Sequence, residues 1–264
     1  MPSSTATITG LYVYPVKGLG PQSLNRVDVE TDGVFPGDRA YAIENGPSGF
    51  TRETPNYLPK TQFLMLARNE SLAALKTAYD PATDELTLER PPGDPICQSL
   101  ATVEGRKNLE NWFIENFAEE LRGAPKILSS PGHSFSDVPA KWLSLINLAS
   151  VRDLEQQIGA PIDPIRFRGN IYVDGIAPWS EFDWVGGRIT GGPVLAGMLR
   201  TERCAATNVD PHTATRDMNI PKALVRAFGH ADCGIYLRVA EPGSLSVGKQ
   251  LNLQATGLKV ELPF

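Results

Sequence analysis

The sequence predicts an α+β protein that is mostly β, built from two β-rich units with few helices. Short segments alternate apolar and polar residues, which is typical of strands that bury one face. The 24 glycines and 22 prolines supply the many turns that such a fold needs. Helical spacing of apolar residues is confined to three segments. At 264 residues, the chain is long enough for one large domain or two small ones.

The first half of the chain contains four segments that predict strands. In the first segment, Ile8, Leu11 and Val13 alternate with polar or aromatic residues. In the third, Asn45 followed by Gly46 is a turn signal that closes the strand. The four segments are "TITGLYVYPVK", "SLNRVDVET", "DRAYAIENG" and "DELTLERPPGD".

Three segments predict helices, and each has a glycine at or just beyond its C-terminal end. They are "RKNLENWFIENFAEEL", "NLASVRDLEQQIGAP" and "PKALVRAFGH". Gly123 and Pro125 are expected to end the first, and Gly159 the second. Asn147 or Ser150 is the candidate N-cap of the second helix, because both side chains accept hydrogen bonds from backbone N–H groups. The third begins with a proline, which suits the first turn of a helix.

The last part of the chain returns to strands. It contains the strand "CGIYLRVAE", the turn "EPGS" and the strand "LSVGKQLNL". Between the two halves, residues 122–140 mix proline, glycine and serine, which is typical of a seam. We therefore predict a first domain over residues 1–122 and a second over residues 123–264.

Composition and charge exclude several classes of function. The net charge of −5 provides neither a basic face for nucleic acid nor a polybasic membrane anchor. The N-terminal "MPSSTATITG" lacks a secretory signal pattern, and no stretch approaches the ~18 apolar residues of a membrane-spanning helix. Three cysteines that lie far apart do not form a disulfide framework, which favours the cytoplasm. They are also too few for an iron–sulfur cluster held by cysteine alone.

The stretch "RTERCAATNVDPHT" holds a single cysteine, Cys204. A free cysteine is commonly a small buried hydrophobe. Arg203 would favour a thiolate if the two side chains shared an environment, although neighbours on a strand point apart. The small residues that follow leave room for a bulky ligand, and "VDP" offers a turn that presents backbone N–H groups. Cys204 is therefore a candidate functional thiol.

The stretch "RFRGNIYVDG" carries candidate ligand-binding groups. Arg168 and Asn170 lie two residues apart, so on an extended segment they face the same side. A guanidinium and an amide together match a phosphate or a polar heterocycle. A surface salt bridge with a turn asparagine is the alternative interpretation.

Two further stretches place cations beside turns in the first half. In "YPVKG", Lys17 ends a strand, and Gly18 lets the backbone turn next to a ligand. In "PGDRAYAI", Arg39 starts a strand beside Asp38. The alternatives are a solvated lysine and an ordinary surface ion pair.

Together these stretches resemble the MOSC family, named after the C-terminal domain of molybdenum cofactor sulfurase. The resemblance is to members with an additional N-terminal β-barrel, the branch that includes the mitochondrial amidoxime-reducing component and its bacterial relatives. "LYVYPVKG" and "GDRAYAI" are similar to the N-terminal part; "FRGNIYVDG", "PWSEFDWVGGRI", "ERCAATNVDP" and "HADCGIYLRV" are similar to the MOSC domain, in the family's order. The resemblance covers nearly the whole chain and implies an N-terminal β-barrel-like domain followed by a MOSC β-barrel domain with a few packed helices.

The resemblance implies a molybdenum cofactor, in which the dithiolene of molybdopterin holds the metal. Cys204 matches the position of the catalytic cysteine that ligates molybdenum. Asp210 is a candidate general acid, although an aspartate before proline is more often a turn residue. The positions that match cofactor contacts are Lys17, Gly18, Arg39, Asn147, Arg168, Asn170, Glu202 and Arg203. Gly18 stands where some relatives carry a hydroxyl residue, so a side-chain contact is not expected there.

The implied activity is the reduction of N-hydroxylated small molecules by oxygen-atom transfer, which consumes two electrons and two protons and releases water. Some bacterial relatives carry a ferredoxin-like C-terminal domain, whereas this sequence ends soon after the last MOSC strand. The electrons are therefore expected from a separate ferredoxin-like, flavoprotein or cytochrome b5-like partner. The alternatives are a carrier of the cofactor and a sulfur-transfer protein with a persulfide on Cys204. A pyridoxal phosphate binding-like character is a further expectation.

Overall fold

The structure is a computed structural model, and it describes residues 5–255. Within this range the chain forms mostly strands, with three α-helices. The strands are β1 (Thr5–Val13), β2 (Gln22–Leu24), β3 (Arg26–Val29), β4 (Tyr41–Asn45), β5 (Lys76–Asp80), β6 (Glu85–Glu89), β7 (Ile96–Ser99), β8 (Pro125–Ser129), β9 (Leu143–Asn147), β10 (Ile171–Asp174), β11 (Arg188–Thr190), β12 (Val194–Glu202), β13 (Asp232–Glu241), β14 (Gly243–Ser246) and β15 (Gln250–Ala255). The helices are α1 (Val103–Phe117), α2 (Leu148–Ile158) and α3 (Ile220–Phe228).

Seven strands close into a barrel, in the order β10, β9, β13, β12, β11, β15 and β1, with β1 pairing back to β10. The β9–β10 pair is parallel, and the other pairs of the ring are antiparallel. Closure leaves no unpaired sheet edge in the ring. Alternate residues point inward, so Ile8, Leu145, Ile171, Leu195 and Leu237 are fully buried in the barrel core. The mostly β fold class is confirmed.

The two ends of the chain meet in this barrel. The first strand, β1, lies between β10 and β15, and β3 pairs with β14. The remaining strands of the first half form the β4–β8 pair and a separate sheet of β5, β6 and β7. The segment predicted as a seam contains β8, which is paired to β4. The domain boundaries at 122 and 123 stay a prediction.

Helix α1 packs its apolar face onto the strands of the first half. Leu109, Phe113 and Phe117 recur at helical spacing and lie in one buried cluster. The helix begins three residues earlier than predicted, because the Thr102 side chain accepts a hydrogen bond from the Gly105 N–H and caps it. It also ends earlier than predicted, since a short 3-10 turn follows directly.

The other two helices follow their predictions closely. Asn147 caps α2 by accepting a hydrogen bond from the backbone N–H of Ala149, while the Ser150 hydroxyl bonds elsewhere. Gly159 ends α2 with a φ of 76°, a conformation that glycine adopts without strain. Helix α3 has proline in its first turn and ends at Gly229 in the same way.

The prediction of one strand over "LSVGKQLNL" is wrong, because this segment forms the end of β14 and the start of β15. Gly248, with a φ of 85°, lies in the turn that separates them. Alternation of apolar residues continues across this turn, so the pattern alone cannot reveal the break. None of the helices over residues 5–255 has the length and apolarity needed to cross a membrane. A cytoplasmic location stays a prediction.

Candidate functional site

A cavity of about 340 Å³ opens on the outer face of the barrel, against loops of the first half. Its floor includes Ser144 of β9 and Tyr236 of β13, which lie directly opposite each other on paired strands. Their neighbours Leu143 and Leu237 point into the barrel core, so Ser144 and Tyr236 point outward. The cavity is therefore built on the barrel surface and covered by the N-terminal half.

Both halves of the chain contribute walls to the cavity. The residues from the first half are Lys17, Gly18, Arg39, Lys60, Met65, Leu66 and Ala67. The others are Ser136, Asp137, Val138, Trp142, Ser144, Arg166, Phe167, Arg168, Asn170, Leu199, Arg200, Thr201, Glu202, Arg203, Cys204, Ala206, Thr207 and Tyr236. The structure thus brings Cys204 together with the cations that the sequence analysis singled out from both halves.

Three side-chain atoms mark this cavity as a place for a polar ligand. Among the residues that the structure describes, Ser144 Oγ, Arg166 Nε and Thr201 Oγ1 are the buried side-chain polar atoms without a hydrogen-bond partner. All three residues line this one cavity and are less than a tenth exposed. Because an unpaired buried polar group costs free energy, native proteins keep few of them without a reason. Their convergence points to ligand groups that donate to or accept from them.

Replacing Thr201 with valine tests whether this unpaired hydroxyl belongs to a ligand site. In the ligand-free protein we expect the free energy of unfolding to stay unchanged or to rise by up to about 1 kcal/mol, because valine keeps the shape and removes an unpaired polar group. Urea unfolding monitored by circular dichroism measures this change.

Thr207→Val is the matched control, because Thr207 is equally buried and its hydroxyl donates to the Cys204 carbonyl at 2.9 Å. We expect the control to lose about 1 kcal/mol of unfolding free energy. If both variants lost the same amount of stability, the Thr201 hydroxyl would have a partner inside the protein.

Cys204 lies just after β12, where the chain leaves the barrel. It is half-buried and occupies the cap position of a 3-10 turn over Ala205–Asn208, with its own carbonyl held by Thr207. The side chain of Lys60, at the start of a 3-10 turn of the first half, lies close enough to interact electrostatically with its sulfur. Burial lowers the pKa of Lys60, but Asp137 and the Cys204 sulfur more than reverse this and raise it. The cation beside the thiol is therefore Lys60, which the sequence analysis missed.

The Arg203 side chain is bound to backbone carbonyls of other parts of the fold. Its guanidinium donates to the Cys233 carbonyl, with 2.7 Å from Nε, and to the Phe167 carbonyl at 2.9 Å. It therefore ties β13 to the loop before β10. Arg203 and Cys204 line the same cavity, where Arg203 binds backbone carbonyls and Lys60 lies near the thiol.

Arg39 and Arg168 form a pair of cations that share one aromatic ring. Their guanidiniums lie 4.8 and 4.4 Å from the ring centroid of Tyr14, which is fully buried. Burial raises the pKa of Tyr14 to about 12, although both arginines act to lower it. Each arginine has a φ of 51°, a left-handed conformation that is uncommon for residues other than glycine. The fold thus tolerates two strained residues at the positions that aim these cations into the cavity.

Asn170 lines the cavity and also holds strands together. Its Oδ1 accepts from the Ser144 N–H at 3.1 Å, and its Nδ2 donates to the Tyr12 carbonyl at 3.1 Å. The side chain therefore joins the start of β10 to β9 and β1. Its contact with a cofactor stays a prediction.

Two of the predicted site residues do not line the cavity. Asn147 is fully buried, caps α2 and donates to the Glu181 carboxylate at 2.9 Å. Asp210 accepts a hydrogen bond from Arg166 at 2.8 Å, and two backbone N–H groups of its own turn donate to it. Burial raises the pKa of Asp210, but these hydrogen bonds and Arg166 hold it below its usual value. These contacts place Asp210 in its turn and against Arg166, and its role as a general acid stays a prediction.

The fold and the site define a class: a closed β-barrel that carries, on its outer face, a thiol and a set of cations under the cover of an N-terminal β-rich half. Comparison with protein families agrees. The MOSC domain matches residues 132–252, and the MOSC N-terminal beta barrel domain matches residues 5–122. The chain therefore belongs to the MOSC family, in the branch with the additional N-terminal domain.

Known relatives share most of their length with this chain. Mitochondrial amidoxime-reducing component 1 of Mus musculus is 22% identical, over 94% of this chain and 82% of its own. The protein of the same name in Homo sapiens is 21% identical, with the same coverage. Among solved structures, the YUAD protein of Bacillus subtilis is 16% identical, covers 96% of this chain and 97% of its own, and has a TM-score of 0.46.

Proposed function

We propose that this protein binds the molybdenum cofactor and reduces N-hydroxylated compounds with electrons from a separate redox protein. Membership of the MOSC family supports a function associated with that cofactor. The names of the relatives support an amidoxime or a related N-hydroxylated compound as the substrate class. The observation that carries the proposal is the cavity itself, where Cys204, several cations and three unpaired polar atoms converge.

The groups that line the cavity fit the proposed cofactor by their chemistry. A cysteine thiolate is a soft ligand that suits a soft metal, so Cys204 would hold the molybdenum. Arg39 and Arg168 would hold the phosphate end, because guanidinium groups form strong charge-assisted hydrogen bonds to phosphate. The unpaired groups of Ser144, Thr201 and Arg166 would receive the polar edge of the pterin. When bound, the cofactor supplies the two-electron redox chemistry of oxygen-atom transfer.

The chain itself positions the reactants and limits the access of water. Trp142 and Phe167 are nearly fully buried and give the cavity apolar walls beside its polar groups. Lys60 Nζ holds a proton near the Cys204 sulfur, and its raised pKa keeps that proton in place at neutral pH. The carboxylate of Asp137 is ionised: partial desolvation by the cavity walls acts to raise its pKa, but Lys17 and Lys60 hold it far below the usual value. Among these groups, Lys60 is therefore the one that supplies positive charge to a substrate oxygen near the thiol.

The experiment is to purify the protein from a host that makes the cofactor, then measure molybdenum, pterin and turnover of an amidoxime with a chemical reductant. The proposal predicts stoichiometric metal and pterin, with release of the corresponding amidine. Bound cofactor without turnover would identify a carrier instead. A labile sulfur atom on Cys204 without pterin would identify a sulfur-transfer protein, and either result would overturn the proposed activity.

A further inference from the structure

The hydrogen bonds of Lys17 use all of its donors. An ammonium group has three N–H donors and no acceptor. Lys17 is 5% exposed, and its Nζ donates to the Phe135 carbonyl at 2.8 Å, to the Ser136 carbonyl at 3.4 Å and to the Asp137 carboxylate. One short segment, residues 135–137, therefore supplies every acceptor. Lys17 cannot bind a further anion unless one of these acceptors leaves.

The Asp137 side chain is the acceptor that can leave. The other two acceptors are backbone carbonyls, whose positions are set by a segment that is itself held to the fold: the Phe135 N–H donates to the Arg39 carbonyl at 2.8 Å. The Asp137 carboxylate is instead 52% exposed, and rotation of a side chain does not require the backbone to move. Tyr57 donates to the backbone carbonyl of Asp137 at 3.1 Å, which keeps the backbone in place when the side chain turns.

The surroundings of Asp137 are those of an anion site. Lys17, Lys60 and Arg39 all stabilise its charged form, and all three line the cavity. Arg168 adds a further cation beside Arg39 through the shared Tyr14 ring. Asp137 and Asp38, which pairs with Arg39, together balance only part of the positive charge of these four cations. A phosphate group carries about −1.5 to −2 charges and three acceptor oxygens at neutral pH, so it matches the cluster better.

We propose that Asp137 is a built-in counter-ion that occupies a phosphate subsite, and that a phosphate group of the ligand displaces its side chain from Lys17. This rests on the proposed function only in taking the phosphate to be that of the cofactor. The same chemistry would accept inorganic phosphate or pyrophosphate. In the ligand-free protein, the Asp137 carboxylate offsets the repulsion among the cations. It also makes the subsite selective, because a monoanion would bind too weakly to displace the carboxylate.

The test measures phosphate and pyrophosphate binding to ligand-free protein by isothermal titration calorimetry, for wild type and Asp137→Asn. The amide keeps the size of the side chain and removes the negative charge. We expect the variant to bind both anions roughly tenfold or more tightly, as follows from removing a like charge at contact distance. Asp174→Asn is the control, since Asp174 also pairs with an arginine, Arg152, but lies outside the cavity. Asp137→Ser is measured in parallel in case the asparagine variant folds poorly.

Unchanged or weaker anion binding in both Asp137 variants would overturn the inference. So would Lys17→Met binding phosphate as tightly as the wild type, because the subsite would then not include Lys17. The pterin content of wild type and Asp137→Asn, purified from the same host, tests the cofactor's phosphate separately. A wild type that holds no pterin, with anion binding still tightened in the variant, would reject the proposed function and leave the subsite standing.

Discussion

Replacing Cys204 with serine is expected to lower the molybdenum content of the purified protein roughly tenfold or more. Loss of groups that only orient a metal ligand already costs ten- to a hundredfold in affinity, and this change removes the proposed ligand itself. Serine has nearly the same shape, but its hydroxyl is a harder and far less acidic group than a thiol. Mass spectrometry of the metal, with pterin fluorescence after oxidation, measures the loss.

The structure provides a matched control for this prediction. Cys97 is exposed on β7, away from the cavity, so Cys97→Ser should keep the full metal content. Cys204 is half-buried and makes no capping hydrogen bond through its side chain, so Cys204→Ser should unfold within about 1 kcal/mol of the ligand-free wild type. Equal metal content in both variants would remove Cys204 from the site. A large loss of stability in Cys204→Ser alone would make the metal result uninformative about ligation, and Cys204→Ala would then replace it.

Replacing Arg166 with methionine is expected to lower the free energy of unfolding by about 3 kcal/mol, among the largest effects of any single change in this chain. Arg166 is 4% exposed and donates to the carboxylates of Asp210 and Asp217 at 2.8 Å. Methionine retains the apolar stem but leaves two aspartates without their cation. Both aspartates keep some contact with solvent, so the cost lies at the lower end of the range for a broken buried ion pair. Urea unfolding measures it.

Double variants separate the ion pairs from packing. Asp217→Asn in the Arg166→Met background should cost little further stability, whereas the same change in the wild type should cost about 1 kcal/mol.

Lowering the pH should also lower the free energy of unfolding. Because the pKa of Asp210 is depressed in the folded protein, its contribution is present above the unfolded pKa and is lost as the pH falls through the folded one. A loss of unfolding free energy under about 1 kcal/mol for Arg166→Met would contradict the stabilising role of the ion pairs from Arg166 to Asp210 and Asp217.

Much of the fold follows from local pattern. Alternation located β1, the Asn45–Gly46 turn signal marked the end of β4, and helical spacing located α1, α2 and α3, because burial of one face and turn geometry are local constraints. The stretches around Lys17, Arg39, Arg168 and Cys204 were found because each couples a charged or nucleophilic residue to a turn. Their meeting in one cavity depends on β1 closing the barrel with strands from the far end of the chain.

The rest of the site has no local signature. Lys60 lies in a short 3-10 turn and Asp137 in an irregular loop, and Ser144 and Thr201 look like ordinary strand residues until their partners are known to be absent. Arg203 and Cys204 are adjacent in sequence, but the partners of Arg203 are backbone carbonyls of Phe167 and Cys233, far away along the chain. Asn147 and Asp210 carry polar groups that the cap of α2 and the Arg166 ion pair already use. Contacts between residues far apart in the sequence decide which polar groups are already hydrogen-bonded and which are left for a ligand.

The most direct measurement of the central claim is molybdenum X-ray absorption of the protein loaded in a host that makes the cofactor. The account predicts one sulfur neighbour of the metal beyond those of the dithiolene, and loss of that neighbour, or of the metal, in Cys204→Ser. A loaded protein whose metal has the same sulfur neighbours in wild type and variant would contradict it.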